Sequence, residues 1–540
     1  MSKRLRAFVA GVVGMGIAFG VTELVHGFYE PVPSIPLAVA QRIVALTPGS
    51  VAEFAISILG QADVPFLITT TVVLTVIFAG LLALLALRSV VGALIGVGVL
   101  GVIAVLASFS EPSVRPVAVL LAVVVALGAG ICVAGYLLYT SGLLGAGAGA
   151  APSSERFEAD EGEPQGMRSR EAGAEGRLAV SRRNFIVLSG TATVASLGAA
   201  GVGRLLEQQG VQFKGSTAPG GTVSTAQSTL PPAPAGASIN EPGMPPLFTS
   251  NDNFYLIDTA ISDPGINRDS WKLNISGEVD NPIELTYDDL LSFSTREADI
   301  TLSCVSNEVG GGLVSNARWT GVLLSDVLEE AGLSSDKISS ISEQLVGHSV
   351  DSWTSGFPTK LAFDGREALV AFGMNGDELP VKHGYPVRLV VPGLYGYVSA
   401  TKWLTEIELT DWNFDAYWIK RGWSKEGPIE TQSRIDTIKD GDQLQSGTVK
   451  IGGIAWAPTR GIERVEVSTD DGDSWNDATL ATQLDADAWR LWIYDWDANA
   501  GDYTVKVRAT DGNGETQTAQ EAPPIPSGAT GYHTVTVTVA

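Results

Sequence analysis

Cysteine is nearly absent from this 540-residue chain, which contains only Cys132 and Cys304. Cys132 lies in a continuous apolar run, so Cys304 has no evident partner for a structural disulfide. Cys304 itself sits in a polar, glycine-flanked stretch that runs from Thr301 to Gly312. A thiolate there suits a soft or high-valent transition metal, which makes Cys304 the first candidate for chemistry. The alternative is that Cys304 is a small buried hydrophobic residue, as most free cysteines are.

Haem motifs are also missing. Two cysteines cannot supply a Cys-x-x-Cys-His motif, and a haem between membrane helices needs paired histidines, whereas the whole chain has four histidines. We therefore expect no haem in this chain. Electrons must then pass to or from a separate carrier, either a cytochrome or a quinone-linked one.

Positive charge is scarce. The chain has 35 Lys and Arg against 59 Asp and Glu, a net charge of −24. This balance argues against binding of nucleic acid or of an anionic lipid surface through a basic face. It suits an acidic exported domain.

Charge of either sign almost disappears between Pro65 and Thr140. Segments 8–25, 66–87, 90–109 and 117–139 are apolar enough and long enough to cross a bilayer. Lys3, Arg4 and Arg6 precede the first segment and favour a cytoplasmic amino terminus. We interpret residues 1–140 as an all-α region with four transmembrane helices.

The next segments lead away from this region. Residues 141–183 have little to bury and are predicted to form a disordered cytoplasmic loop. Residues 184–204 are predicted to form a fifth transmembrane helix, and the Ser-Arg-Arg-Asn-Phe run at its start resembles a twin-arginine export signal. An ordinary basic stop at a membrane boundary is the equal alternative. A Gly, Ser, Thr and Pro-rich stalk, 205–243, then places the rest outside the cytoplasmic membrane.

Two further domains follow the stalk. Residues 244–430 alternate β-branched runs with helical patterns such as 323–332, which indicates an α+β domain. Residues 431–540 read as short strands separated by Asp and Gly turns, for example the turn 470–473. This spacing is typical of an immunoglobulin-like β-sandwich.

From about Asn251 onwards the chain resembles the sulfite oxidase family of molybdopterin enzymes. The resemblance rests on the order and spacing of several short motifs, which are 251–255, Cys304 after a strand, 319–322, 374–376, 383–388, 392–393 and 402–404. The run 465–475 resembles the family's dimerisation domain, which implies a homodimer.

The resemblance also implies a site. Cys304 stands where the family's thiolate ligates molybdenum beside the cofactor's dithiolene. The residues that match the pterin-binding positions are Asn253, Tyr255, Asp351, His383, Arg388, Ser399, Thr401 and Lys402. The forked guanidinium of Arg388 suits the cofactor phosphate. Taken without the family pattern, a structural ion pair for Arg388 and a solvated charge for Lys402 are the simpler interpretations.

The chain departs from the family where sulfite-oxidising members place arginines. Leu256 stands in the first motif, and Glu308 with Val309 follows the cysteine. Trp423, with Trp418 close by, stands where those enzymes place a tyrosine. Losing the arginines removes charged hydrogen bonds worth about 1.5–3 kcal/mol each. We therefore expect a neutral or cationic substrate, with Glu308 and Trp423 among the catalytic residues.

The resulting prediction is a membrane-anchored, extracytoplasmic molybdenum oxidoreductase that transfers an oxygen atom and two electrons. Reduction of an S- or N-oxide, as in the methionine-sulfoxide reductases of related sequence, is one alternative. A non-catalytic membrane protein that serves binding or assembly is the other.

Overall fold

The computed structural model describes residues 2–29, 32–47, 51, 63–109, 114–143, 182–208, 226–260 and 263–540. The predicted disordered loop 141–183 falls almost entirely outside this part of the chain, as does the amino-terminal half of the predicted stalk. Two compact units are present, one formed by Met1–Leu46 with Ala55–Phe213 and one by Thr47–Phe54 with Lys214–Ala540.

The first unit is helical. Its helices are α1 (Lys3–Phe28), α2 (Ile35–Leu46), α3 (Asp63–Ala86), α4 (Val90–Ser108), α5 (Pro116–Thr140) and α6 (Arg182–Gln208). Ser2 caps α1, because its side chain accepts a hydrogen bond from the Leu5 amide at 3.2 Å. Glycines allow α1 to approach its neighbours closely: a Cβ on Gly11 would lie 2.3 Å from the Ala79 carbonyl oxygen, and one on Gly14 would lie 2.7 Å from that of Gly130.

Among the described residues, four helices are long and apolar enough to cross a membrane, namely Lys3–Phe28, Phe66–Ala86, Val90–Ser108 and Pro116–Thr140. They match the four segments expected from the sequence. The apolar part of α6 is shorter, Val187–Val202. Because a spanning helix needs about 20 apolar residues, the fifth crossing stays a prediction.

The second unit begins with an α+β domain. Its strands are β1 (Lys272–Gly277), β2 (Ile283–Thr286), β3 (Thr295–Ser303), β4 (Val314–Leu323), β5 (Gln344–Ser349), β6 (Thr354–Pro358), β7 (Leu369–Met374), β8 (Asp377–Glu378), β9 (Arg388–Val390) and β10 (Leu404–Thr410). Its helices are α7 (Tyr287–Ser292), α8 (Leu324–Glu330) and α9 (Gly396–Ser399). One sheet has the order β3-β4-β7-β8, with β9 paired to β7, and the other has the order β2-β1-β10-β5-β6.

Two β-sheets form the carboxy-terminal domain. Their strands are β11 (Gln432–Ile435), β12 (Asp442–Leu444), β13 (Gly447–Trp456), β14 (Ile462–Ser468), β15 (Asn476–Asp477), β16 (Thr479–Leu480), β17 (Arg490–Ala498), β18 (Gly501–Asp511) and β19 (His533–Val539). The sheet orders are β11-β13-β17-β16 and β12-β19-β18-β14-β15. Side chains from both sheets, such as Ile451 and Val505, pack in one apolar core. The domain is therefore a two-sheet β structure, and its immunoglobulin-like class stays a prediction.

The two domains of this unit share buried contacts beside β3. The Trp489 amide donates to Thr301 Oγ1 at 2.8 Å, and the Thr301 amide donates to the Asp487 carbonyl at 3.0 Å. Trp489 Nε1 also donates to the Leu247 carbonyl at 2.9 Å. Since β3 leads directly to Cys304, the carboxy-terminal domain supports the strand that carries the candidate ligand.

The described part of the predicted stalk, 226–243, is packed rather than free. Ser228 pairs with β3, because its amide donates to the Thr295 carbonyl and its carbonyl accepts from the Glu297 amide, both at 3.0 Å. Ala237 is 1% exposed and belongs to the main apolar core. The composition suggested a flexible linker, but burial of Ala237 and this backbone pairing hold the segment against the domain.

Candidate active site

Cys304 is the first residue after β3 and begins a closed loop. Its amide donates to the Leu313 carbonyl at 2.9 Å, and its carbonyl accepts from the Asn307 amide at 3.1 Å. The residue is 8% exposed. Burial raises the pKa of the thiol, and hydrogen bonds from Ser306 partly oppose this. A buried thiol of this kind becomes a thiolate when a cation or metal compensates the charge.

The loop 304–313 is braced from inside and from outside. Asn307 Oδ1 accepts from the Leu313 amide at 2.7 Å inside the loop. From the carboxy-terminal domain, Arg434 Nη1 donates to the Gly311 carbonyl at 2.8 Å. The His533 ring lies so close that a Cβ on Gly310, which has φ +77°, would be 2.1 Å from it. We call Arg434 and His533 the clasp.

Aromatic side chains connect Cys304 to the basic residues of the site. The pKa of the Tyr255 hydroxyl is raised by burial and by the Cys304 sulfur, and it is lowered by Arg388, so this hydroxyl feels the charge of both groups. Phe254 stacks on Tyr255 at 5.4 Å between ring centroids and meets Trp319 edge-on at 5.6 Å. Burial and, to a smaller extent, Cys304 also raise the pKa of Tyr395.

Arg388 is the most unusual charge in the site. It is 5% exposed and its guanidinium donates to the carbonyls of His383, Leu389 and Ala400 at 3.0–3.4 Å. The guanidinium also lies 5.1 Å from the Trp319 ring centroid. Burial lowers the pKa of Arg388 to about 10, so it stays charged at neutral pH. Within the described residues no carboxylate pairs with it, and an uncompensated buried cation is costly.

His383 lies beside Arg388 in the turn before β9. The ring is 1% exposed, and its Nε2 lies 2.7 Å from the Asn251 carbonyl. A carbonyl only accepts, so Nε2 carries the proton. Burial, with smaller contributions from the charges of Arg388, Lys402 and Lys382, lowers the pKa of His383 to about 4. The imidazole is therefore neutral at pH 7.

Lys402 completes the basic group. A Cβ on Gly384, whose φ is +113°, would lie 3.1 Å from Cβ of Arg388 and from Cβ of Lys402, so the turn fits between the two side chains. Lys402 Nζ pairs with Asp258 and donates to the Lys382 carbonyl at 3.0 Å. Burial lowers the pKa of Lys402, whereas Asp258 raises it.

The other residues predicted from the sequence fall into two groups. Ser399 and Thr401 are fully buried beside Arg388 and Lys402: Ser399 Oγ donates to the Tyr395 carbonyl at 3.0 Å, and Thr401 Oγ1 lies 2.7 Å from Ser355 Oγ. The pKa of Asp351 is raised by burial and lowered slightly by Lys402, which places it in the same charge group. In contrast, the side chains of Asn253 and Glu308 are exposed, and neither one hydrogen-bonds to another of the described residues through its side chain.

Trp423 lies in an aromatic stack. Its ring is 4.2 Å from that of Trp418, nearly parallel to it, and 5.1 Å edge-on from that of Tyr397 in α9. Trp423 is 9% exposed, and no acceptor among the described residues receives its buried Nε1 proton.

Sequence reasoning missed four contributors to the site: the clasp residues, Trp319 under Arg388, and Tyr395 near Cys304. The clasp lies more than 120 positions from the loop it holds, so no local motif could have revealed it. Trp319 does fall in the motif 319–322, but this motif did not predict its contact with Arg388.

The arrangement fits a molybdopterin cofactor. No cluster of three or more His, Cys, Asp or Glu side chains in the described part of the chain is placed to hold a metal ion by itself. One buried thiol together with an unpaired buried guanidinium, a neutral imidazole and a buried lysine instead suits a metal carried by a large anionic ligand. Cys304 would ligate the metal, while Arg388, His383 and Lys402 would face the anion.

Comparison with known proteins gives the same picture. The family described as the oxidoreductase molybdopterin binding domain matches residues 260–418, and the one described as the Mo-co oxidoreductase dimerisation domain matches 427–539. Mitochondrial sulfite oxidase of Homo sapiens is 31% identical over 296 residues, which are 46% of this chain and 54% of the human one. An uncharacterized oxidoreductase of Bacillus subtilis, YuiH, is 29% identical over 184 residues, 34% of this chain and 87% of that one.

Among solved structures, the sulfane dehydrogenase SoxCD from Paracoccus pantotrophus matches with 24% identity and a TM-score of 0.46, covering 54% of this chain and 83% of that one. The chain spans about half the length of the mammalian sulfite oxidases it matches.

Proposed function

This chain belongs to the sulfite oxidase family of molybdopterin-dependent oxidoreductases, and on that premise we propose that it is a membrane-anchored enzyme that transfers an oxygen atom at a molybdenum held by Cys304. The proposal rests chiefly on the buried guanidinium of Arg388, which has no carboxylate partner among the described residues. The charges of Arg388 and of Cys304 both affect the pKa of the Tyr255 hydroxyl.

The chain's own residues would divide the work as follows. Cys304 gives up its proton on binding the metal, because the thiolate is the ligand. Arg388 and Lys402 hold the anionic end of the cofactor, and neutral His383 offers Nδ1 as an acceptor because Nε2 donates to Asn251. The bound cofactor supplies a metal that takes up two electrons and exchanges an oxygen atom. In the oxidising direction, substrate and water give the oxygenated product, two protons and two electrons, which leave to a separate carrier.

We further propose a neutral or cationic substrate. Leu256, directly after Tyr255, is 47% exposed and Ile257 is 52% exposed, so the rim beside the site is apolar. Glu308, four residues after the thiol, adds a carboxylate on the exposed side of the loop. Trp423 offers an unpaired N–H donor to a substrate oxygen. An anion such as sulfite would meet no arginine at these positions.

The remaining parts of the proposal concern assembly. The dimerisation-domain match supports a homodimer through 427–539. Four apolar helices support a multi-pass anchor in the cytoplasmic membrane, and the basic residues at the start of α1 favour a cytoplasmic amino terminus. The catalytic domain would then lie on the extracytoplasmic side, as expected if 184–204 crosses the membrane.

Metal analysis of the full chain tests the proposal. The protein is produced where molybdenum cofactor is made, purified in detergent as wild type and as Cys304→Ser, and analysed for molybdenum and pterin. About one molybdenum and one pterin per wild-type chain are expected. Cys304→Ser should keep pterin, because Arg388 and Lys402 are intact, yet lose at least about 100-fold in turnover because the metal loses its thiolate. Wild type without molybdenum would overturn the proposal.

Substrate direction is tested on the same protein. Oxidation of sulfite with ferricyanide is compared with reduction of methionine sulfoxide by a reduced viologen dye. We expect kcat/KM for sulfite to be lower than for the neutral S-oxide. If sulfite is the better substrate, the proposal of a neutral or cationic substrate is wrong while the molybdenum assignment stands.

A further inference from the structure

A cavity of about 80 Å³ lies among five helices of the first unit. Its walls come from α1 to α5 and are mostly apolar, with Phe19, Ile35, Leu100 and Leu127 among them. Threonine hydroxyls at Thr22, Thr71 and Thr75 add weak polarity. Apolar cavities between the helices of a bundle are frequent binding sites for small molecules.

Groups that can exchange protons lie beside one end of the cavity, next to its lining residues Thr22 and Ile35. Glu23 is buried and directly follows the lining residue Thr22, and Ser34 is buried and directly precedes the lining residue Ile35. Ser34 Oγ donates to Glu23 Oε1 at 2.7 Å. His26, one helical turn beyond Glu23, has Nδ1 at 2.9 Å from the Val32 carbonyl. A carboxyl and an imidazole inside an apolar helix bundle are costly, and such residues in membrane helices usually mark a functional site.

The same end of the bundle is where α6 ends. Helices α1 and α6 run parallel, because Ala7 and Leu188 share one apolar cluster while Ser196, further along α6, donates to the Gly16 carbonyl of α1. Lys3, Arg4 and Arg6 lie at the opposite end of α1. By the basic-flank rule, the Glu23 end therefore faces away from the cytoplasm, on the side proposed for the catalytic domain.

We propose that this cavity binds the head group of a membrane quinone, with Glu23 and His26 beside the ring. The inference rests on the proposed function, which supplies the electrons. Reduction of the ring to the quinol takes up two electrons from substrate oxidation and two protons at its two oxygens. An acyl tail of a lipid would need neither a carboxyl nor an imidazole, and in the described part of the chain no cluster of metal-binding side chains offers another acceptor.

Binding is measured first, without turnover. The full chain in lipid nanodiscs is titrated with decylubiquinone by calorimetry, as wild type, Glu23→Gln and Ala104→Leu. Ala104 lines the cavity, so the larger side chain takes up part of its space. Both variants should weaken binding at least tenfold. Thr140→Ala is the matched control, because it removes a buried hydroxyl of α5 that donates to the Tyr136 and Leu137 carbonyls at 2.8 and 3.3 Å, near the end of the bundle where Ala7 lies. Its affinity should equal that of wild type.

Turnover then separates this inference from the proposed function. With decylubiquinone as acceptor, the rate of Glu23→Gln should fall at least tenfold relative to its own rate with ferricyanide, whereas Thr140→Ala should match wild type with both acceptors. A wild type inactive with ferricyanide would count against the proposed function and leave the binding result intact. Quinone affinities of Glu23→Gln and Ala104→Leu both within twofold of wild type, or equal displacement by a diacyl lipid, would overturn the quinone site.

Discussion

At the scale of single residues, the charge on Arg388 decides what the site can hold. It is buried, donates only to backbone carbonyls and pairs with no carboxylate among the described residues. A protein that folded without an anionic ligand would carry this cation at a net cost. The folded protein is therefore more stable when an anion is bound opposite the guanidinium.

Arg388→Met should accordingly act in opposite directions on the two forms of the protein. Without cofactor, removal of an uncompensated buried cation should raise the free energy of unfolding by about 1–3 kcal/mol. With cofactor, the variant should lose charged hydrogen bonds of about 1.5–3 kcal/mol each and retain less pterin. Thermal unfolding of both forms and pterin content check this. Arg388→Lys keeps the charge but not the forked donors, so its pterin content should lie between those of wild type and Arg388→Met. If Arg388→Met destabilises the forms with and without cofactor equally, Arg388 is a structural residue.

Trp423 permits a test of substrate contact. Trp423→Phe removes the unpaired Nε1 donor and keeps an aromatic ring against Trp418 and Tyr397. Loss of one neutral hydrogen bond of about 0.5–1.5 kcal/mol should lower kcat/KM about two- to tenfold with cofactor content unchanged. Trp418→Phe is the control, because it alters the same stack without that buried donor. Equal losses in both variants would assign Trp423 to packing alone.

At the scale of elements, the loop 304–313 depends on a domain that follows it by more than 100 residues. Arg434 lies in the edge strand β11 and donates to Gly311. His533 lies at the start of β19, and its ring lies against Gly310. The conformation of the Cys304 loop therefore depends on both domains, because the clasp residues of one domain hold the loop of the other.

Breaking the clasp should loosen the loop. Arg434→Met removes the 2.8 Å hydrogen bond to Gly311, and Gly310→Ala places a methyl group against the His533 ring. In cofactor-free protein, each change should speed alkylation of Cys304 by iodoacetamide about fivefold, the effect of about 1 kcal/mol on local opening. Lys450→Met, which removes only the surface ion pairs of Lys450 with Glu241 and Asp495, should leave the rate unchanged. Unchanged alkylation in both clasp variants would contradict the coupling.

The sequence predicted the regular elements better than the contacts between them. The short strands expected in 431–540 are present, and β14 ends just before the expected turn 470–473, because alternating apolar residues bounded by Asp and Gly turns are local signals. The strands β5 to β7 received no such prediction. Arg388 and Lys402 were found only through a family pattern, since the burial of a charged side chain is a tertiary property. The clasp and the burial of Ala237 likewise depend on chain segments that are distant in sequence.

At the scale of the whole molecule, acid should act on the second unit through His533. Burial, with Arg434 adding to it, lowers the pKa of His533 to about 4, below its ordinary value of 6.5. The unfolded chain therefore binds this proton more readily, so the stabilisation is complete above pH 6.5 and is lost as the pH falls towards 4. The limit is roughly 3 kcal/mol. His533→Gln should reduce the slope of unfolding free energy between pH 6.5 and 4; an identical slope in the variant would refute the assignment.

The division into two units predicts where the chain can be cut. A fragment 226–540 keeps the pairing of Ser228 with β3, the hydrogen bond from the Leu230 amide to Glu297 at 2.8 Å, and buried Ala237. A fragment 244–540, cut at the end of the stalk as composition defines it, loses all three and exposes the edge of the strand that carries Cys304. We expect the longer fragment to be more stable by several kcal/mol, because each lost buried contact costs about 1–3 kcal/mol. Denaturant unfolding and molybdenum content of both fragments measure the difference. Equal stability and equal metal content would show that 226–243 contributes nothing to the site and that β3 holds Cys304 in place without the backbone pairing to Ser228.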